Sequence, residues 1–210
     1  MNKINLKKNG RGLVTVIALI LSTATLSTAS SIYENLYSFK PKQKIENPDP
    51  DFELKQKVKD RIKDVSTRSE AESRLVWVEV PVWRLKDGKK VSDTERFQIL
   101  DVLANDVKEI FHEIHKGKEK FPIKNLIGYS WRGSFKSLHS TGRAIDLNPE
   151  ENPQVNSNGK AIVGKSWQPG SNPYSIKPDG DVVRAFTKRG WTWGANFRTR
   201  DYMHFGFAEM

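Results

Sequence analysis

The elements read from this sequence mix strands and helices, an order compatible with an α+β chain. Three observations carry the reading. A β-rich run, "LVWVEVPVWRL", opens the folded part. A helical periodicity follows it, and apolar-flanked short segments, among them "AIDL" and "DYMHF", come late in the chain.

The first thirty residues stand apart from that pattern. Lys3, Lys7, Lys8 and Arg11 precede the apolar "GLVTVIALIL", and small residues follow up to Ala29. That is the layout of an export signal cleaved after Ala29. An uncleaved N-terminal membrane anchor is the alternative, although the apolar run is short for a span. Residues 1–29 are therefore expected to act before the domain begins, and the rest of the chain is expected outside the cytoplasm. Residues 30–73 read as a linker, with three prolines in "KPKQKIENPDPD". One peripheral amphipathic helix is expected within it, carried by Leu54, Val58, Ile62 and Val65. The domain itself is expected over 74–210.

Within the domain, a strand is expected over 75–85, with Pro81 arguing for an edge. "KDGK" is turn chemistry. Residues 92–117 read as one long helix, with Ser92 and Glu95 as a capping box and Gly117 as its end. Its apolar face is Leu100, Leu103, Val107, Ile110, Phe111 and Ile114. A strand is expected over about 123–131. Residues 148–180 are rich in Pro, Gly, Asn and Ser and read as a long loop of the kind that often carries function. "GDVVRAFTKRG" reads as a short helix ended by Gly190. An aromatic strand or turn and a last strand in "DYMHFGFAE" complete the list.

The chain has 210 residues and no cysteine. A disulfide framework is excluded, and so is a thiolate zinc site. The formal net charge is +10; the leader supplies four positive residues and no acid, so the remainder carries +6. The basic residues are scattered, with no aromatic interleaving, so nucleic acid is not the expected partner. Outside a membrane, an anionic cell wall is the polyanion such a charge would meet.

Four histidines are available for chemistry. His112 and His115 in "FHEIH" are spaced i, i+3, one residue short of the spacing that puts two helix ligands on one metal, and read as surface residues. His139, Asp146 and His204 differ. Asp146 lies between Ile and Leu, where a carboxylate is costly to bury unless paired or metal-bound. Two imidazoles and one carboxylate are the ligand set of an open zinc site, with a position left for water. Zn2+ is the expected cofactor. Asp201, three residues before His204, is the candidate general base. Arg132 is a candidate for stabilising an oxyanion or holding a substrate carboxylate.

These residues resemble a known family. "SLHSTGRAIDLNP" is similar to the SxHxxGxAxD signature of the M15 zinc peptidases, and "DYMHF" to their closing (D/E)xxH motif. The likeness spans about 95–207 and takes in "GYSWRG", "EENP" and "GWTWG". It implies D-alanyl-D-alanine carboxypeptidase or L-alanyl-D-glutamate endopeptidase activity on bacterial cell walls. It implies zinc on His139, Asp146 and His204, with Asp201 as base and Arg132 at the oxyanion or substrate. Ser137 and Trp193 would line the substrate cleft. The fold implied is a small, mostly antiparallel sheet carrying the zinc, with helices packed to one side, of the D,D-peptidase and hedgehog type. Ala195 stands where many relatives have glycine. Asp201 is one methylene shorter than the Glu of several carboxypeptidase members, a lean toward the endopeptidase branch. A peptidoglycan peptide is the expected partner and a monomer the expected state. The alternative function is a wall-binding module that keeps the metal without catalysis.

Overall fold

The structure, a computed structural model, describes residues 51–207. The expected signal or anchor and the first part of the linker lie outside the described residues, and all described residues fall within one compact unit.

The amphipathic run forms helix α1 (Phe52–Ile62), one turn shorter than the periodicity of Val65 suggests. Val58 is fully buried, and Leu54 and Ile62 pack against the core. Arg61 ties the helix to the domain through both oxygens of Asp101, at 3.0 and 2.7 Å. A second helix, α2 (Arg68–Glu72), was not expected. Its cause is local: Thr67 and Glu70 form a capping box, each side chain accepting the other's backbone N–H.

The expected first strand is β1 (Leu75–Lys86). The long helix over 92–117 is overturned in its first half. Residues Lys89–Leu100 form a strand, β2, paired with β1 along its whole length. The reason lies in the turn. Asp87 and Gly88 both have positive φ, 50° and 73°. Asp-Gly in that conformation is the two-residue turn whose twist matches a hairpin, so it commits the next residues to pairing backward. Ser92 and Glu95 become cross-strand residues: Ser92 Oγ meets His115 Nε2 at 2.9 Å, and Glu95 pairs with Arg84. The helix begins after a single 3-10 turn, as α3 (Ala104–Lys116). Leu103, Val107, Ile110, Phe111 and Ile114 are buried as the periodicity requires, and α3 covers the hairpin face of Val78, Val80, Val82, Phe97 and Ile99.

The second half builds a four-stranded antiparallel sheet in the order β3 (Leu126–Ile127), β4 (Ala144–Leu147), β8 (His204–Gly206), β7 (Thr192–Trp193). The strand expected over 123–131 shrinks to β3, because Ile123 bonds to Trp83 and Tyr129 to Gln98, which ties both flanks to the hairpin. The short helix is α4 (Asp181–Thr187). Its Phe186 stacks on Phe205 of β8 at 4.2 Å and meets Phe111 of α3 edge-on, joining the two halves in one core. The architecture is α+β with small antiparallel sheets.

The loop over 148–180 contains a small hairpin, β5 (Gln154–Val155) and β6 (Ala161–Val163). Two fully buried asparagines organise the remainder. Asn148 accepts from Lys124 N and donates to the carbonyls of Pro122 and Tyr174. Asn152 donates to the carbonyls of Leu147 and Tyr174 and accepts from Ile176 N at 2.7 Å. These amides take the place of a strand ladder, because buried backbone groups must find partners somewhere. Asn152→Ala orphans several of them at once and is expected to lower stability by about 3 kcal/mol, measured by urea denaturation.

Candidate metal centre

The site is assembled by one strand pairing and one tight turn. β4 is buried along its length, and alternation sends Ile145 and Leu147 into the core while Asp146 faces the opposite side. β8 lies antiparallel to it in a register that sets Asp146 directly across from His204. Neighbouring strands thus close a gap of 58 residues. His139 arrives from a 3-10 turn, Leu138–Thr141, that ends at Gly142 with φ 66°. Arg143 N bonds back to Leu138 O at 2.9 Å, which folds the turn onto the start of β4.

The result is a nearly equilateral triangle of donor atoms. His139 Nε2 lies 3.2 Å from His204 Nδ1, and each lies 3.1 Å from Asp146 Oδ1. His139 Nδ1 is 2.7 Å from the Gly128 carbonyl, the partner that fixes the ring with Nδ1 protonated and turns the Nε2 lone pair inward. Ligand atoms about 2.0–2.1 Å from a tetrahedral ion stand about 3.3 Å apart. The triangle therefore fits a zinc-sized ion held on three corners, and it is the one metal-capable group of three such side chains among the described residues. Its charges already lean on one another. Burial alone would raise the Asp146 pKa, but the two imidazoles outweigh it and hold the carboxyl at about 2. Burial opposes charging His139, yet Asp146 prevails there and raises its pKa.

A cleft of about 240 Å3 opens over the triangle, with Asp201, Arg132 and Ser137 on its walls. Asp201 Oδ1 is buried and has no hydrogen-bond partner. Burial, and then the charge of Asp146, push its pKa up to about 6. Arg132 is exposed and reaches Asp146 Oδ2 at 3.9 Å, while its backbone N–H donates to the buried Ser140 Oγ. Ser137 borders the cleft at the start of the His139 turn. Trp193 does not line the cleft. Its ring is buried against Phe205, and its indole N–H donates to Tyr202 O at 2.9 Å, so it braces the approach to His204 from behind. Ala195 has no positive φ, so its methyl introduces no backbone strain. His112 and His115 stay away from the metal group; His115 stacks on Trp83 at 4.6 Å. Two cleft residues carried no signal in the sequence: Gln154 and Val163, both from the β5–β6 hairpin.

In this α+β domain, strands β4 and β8 and the turn before β4 bring two imidazoles and a carboxylate to one point, a group that could hold a metal ion. The comparison with known families is more specific. Residues 130–207 match the family model described as D-alanyl-D-alanine carboxypeptidase, and the match supports assigning the chain to the M15 peptidase family. The matched stretch holds Arg132, Ser137, the three ligands and Asp201; the hairpin β1–β2 and α3 precede it. No curated protein and no solved structure matches the chain.

Two outcomes follow from the site's construction. A Cβ on Gly142 would lie 2.5 Å from Leu75 Cδ2 and 2.7 Å from Leu100 N, whereas one on Gly133, also at positive φ, would meet nothing within 4 Å. Gly133→Ala is expected to cost about 1 kcal/mol from its backbone alone. Gly142→Ala adds the clash and is expected to cost at least twice that and to weaken zinc uptake, read by urea denaturation and zinc titration. The second concerns pH. Asp201 binds its proton more tightly in the folded protein, about 6 against an ordinary 3.8. Its contribution to stability thus falls as pH rises from about 4 to 6, and the penalty persists above that. In chelator, Asp201→Asn should melt higher than the parent protein at pH 7, and the gain should vanish at pH 3.5.

Proposed function

We propose that the protein is a zinc-dependent peptidase that hydrolyses a peptide bond in peptidoglycan stem peptides, of the D-alanyl-D-alanine carboxypeptidase or L-alanyl-D-glutamate endopeptidase type. The observation that carries the reading is the triangle of His139, Asp146 and His204 with Asp201, whose Oδ1 has no hydrogen-bond partner, in the same cleft. These three side chains would hold the ion. Bound there, zinc supplies acidification of a water molecule and polarisation of the scissile carbonyl.

The chain's own residues supply the rest. Asp201 accepts the proton of the attacking water and returns it to the leaving amine. A pKa raised toward neutrality suits a group that must do both. Arg132, at the cleft wall, is the cation that faces the negative charge developing on the carbonyl oxygen. Ser137 offers a hydroxyl to the bound peptide on the same wall. Export is part of the reading: the leader over 1–29 would deliver the enzyme to the wall, cleaved after Ala29 or kept as an anchor, and the positive charge of the remainder suits an anionic wall. The protein would act as a monomer.

The test is digestion of purified muropeptides followed by mass spectrometry, with metal analysis of the same sample. The zinc-loaded protein should release one defined fragment. Asp201→Ala should retain zinc and lose about 10²–10⁴ in rate, the usual weight of a general base. Full activity in that variant would rule out the mechanism. Wall binding without cleavage by the parent protein would instead identify a binding module.

A further inference from the structure

The β5–β6 hairpin holds two cleft residues for which neither the metal nor the proton transfer has a use. Gln154 and Val163 are directly opposed across its strands, so their side chains share one face, and both line the cleft of Asp201 and the metal ligands. The next pair, Val155 and Ala161, faces the other way, into a separate cavity of about 290 Å3 beside Trp167 and Tyr202. The register shifts between these pairs, leaving Ile162 as an extra residue. Without that shift, Ala161 and Val163 would point the same way. The bulge re-aims Val163 into the cleft, a use that bulges beside active sites commonly serve.

The hairpin is fixed to the base-bearing segment by backbone alone. Gln154 bridges Asp201, Val155 N donates to Arg200 O at 2.9 Å, and Tyr202 N donates to Pro153 O at 3.2 Å. That segment alternates in step: Asp201 and Met203 face the cleft, Arg200 and Tyr202 the second cavity. Gln154 is thereby held next to the proposed base whatever its side chain does. Its carboxamide is half-buried and makes no hydrogen bond to the described residues.

Resting on the peptidase reading above, we propose that Gln154 and Val163 form the subsite that holds the peptide unit flanking the scissile bond. The carboxamide offers one donor group and one acceptor, the complement of a peptide N–H and C=O. Val163, 48% exposed, offers an aliphatic surface to a small apolar side chain such as alanine. With the Asp201 carboxyl beside Gln154 and Asp146 in the same cleft, a neutral amide suits this position better than a carboxylate.

The experiment uses the zinc-loaded Asp201→Asn protein, which leaves peptide uncut, and calorimetric titration with purified disaccharide-pentapeptide. Adding Gln154→Ala should weaken binding about five- to tenfold, the range for one lost hydrogen-bonding group. Val163→Asp should weaken it more. Ile162→Ser, on an exposed residue that lines neither cavity, should change it less than twofold. In the Asp201-containing enzyme, Gln154→Ala should raise KM by a similar factor and leave kcat and the melting temperature nearly unchanged, which a merely structural residue would not do. Unchanged binding in both Gln154→Ala and Val163→Asp, or no binding by the parent, overturns the subsite. Binding that depends on Gln154 in a protein that cuts nothing would keep the subsite and discard the peptidase reading.

Discussion

The pairing of β4 with β8 is the constraint on which the rest of the site depends. Side chains on a strand alternate, so a register change of one residue would turn Asp146 toward the core and Ile145 toward the metal. Nothing in that arrangement is left loose. Ile145, Leu147, Phe205 and Phe207 are fully buried on the core side, and a slip of one residue in β4 would put Asp146 in place of one of its two apolar side chains. The hydrophobic core thereby sets which side chains of β4 and β8 face the cleft. His139 comes from outside this pair of strands, in the 3-10 turn before β4. The turn ended by Gly142 provides it, and the hairpin behind that turn holds it closed through Leu100 N to Gly142 O at 2.9 Å.

Electrostatics then divides two carboxylates that lie in the same cleft. Asp146 sits between two imidazoles and is held ionised; Asp201 has burial and a neighbouring negative charge against it and holds its proton toward neutrality. Pairs of like groups driven apart by their surroundings mark acid–base sites. Asp201 Oδ1 is one of three buried side-chain polar atoms without a hydrogen-bond partner among the described residues, with Glu151 Oε2 and Arg189 Nε, and the one of the three that lies in the cleft. It is the kind of exception expected where a group is kept available for chemistry.

The site was more legible in the sequence than the fold. Taken singly, a buried histidine or an aspartate has an ordinary structural account, but His139, Asp146 and His204 together, with Asp201 beside the last, read as one metal site. The long helix over 92–117 failed halfway because local signals disagreed. Ser92 and Glu95 satisfy a helix cap, yet Asp87-Gly88 satisfies a hairpin turn, and a twelve-residue partner strand decided between them. Trp193 differs in another way: the family likeness would have it line the cleft, but its ring belongs to the core. Gln154 had no visible signal at all. Its role depends on a bulge and on a backbone bridge to Asp201, neither of which leaves a pattern in composition or periodicity.

The hairpin and α3 lie before the stretch that matches the peptidase family, yet they reach into it repeatedly. Leu100 N donates to Gly142 O, Trp191 Nε1 donates to Asp106 Oδ2, and Phe111 meets Phe186. The portion of chain that carries the chemistry is therefore shorter than the portion that can fold. An ancestor or a fragment consisting of residues 130–207 alone would hold every ligand and have no floor beneath the His139 turn. The segment before residue 130 supplies what that fragment would lack: the Gly128 carbonyl that orients His139, and the hairpin edge and aromatic face behind it.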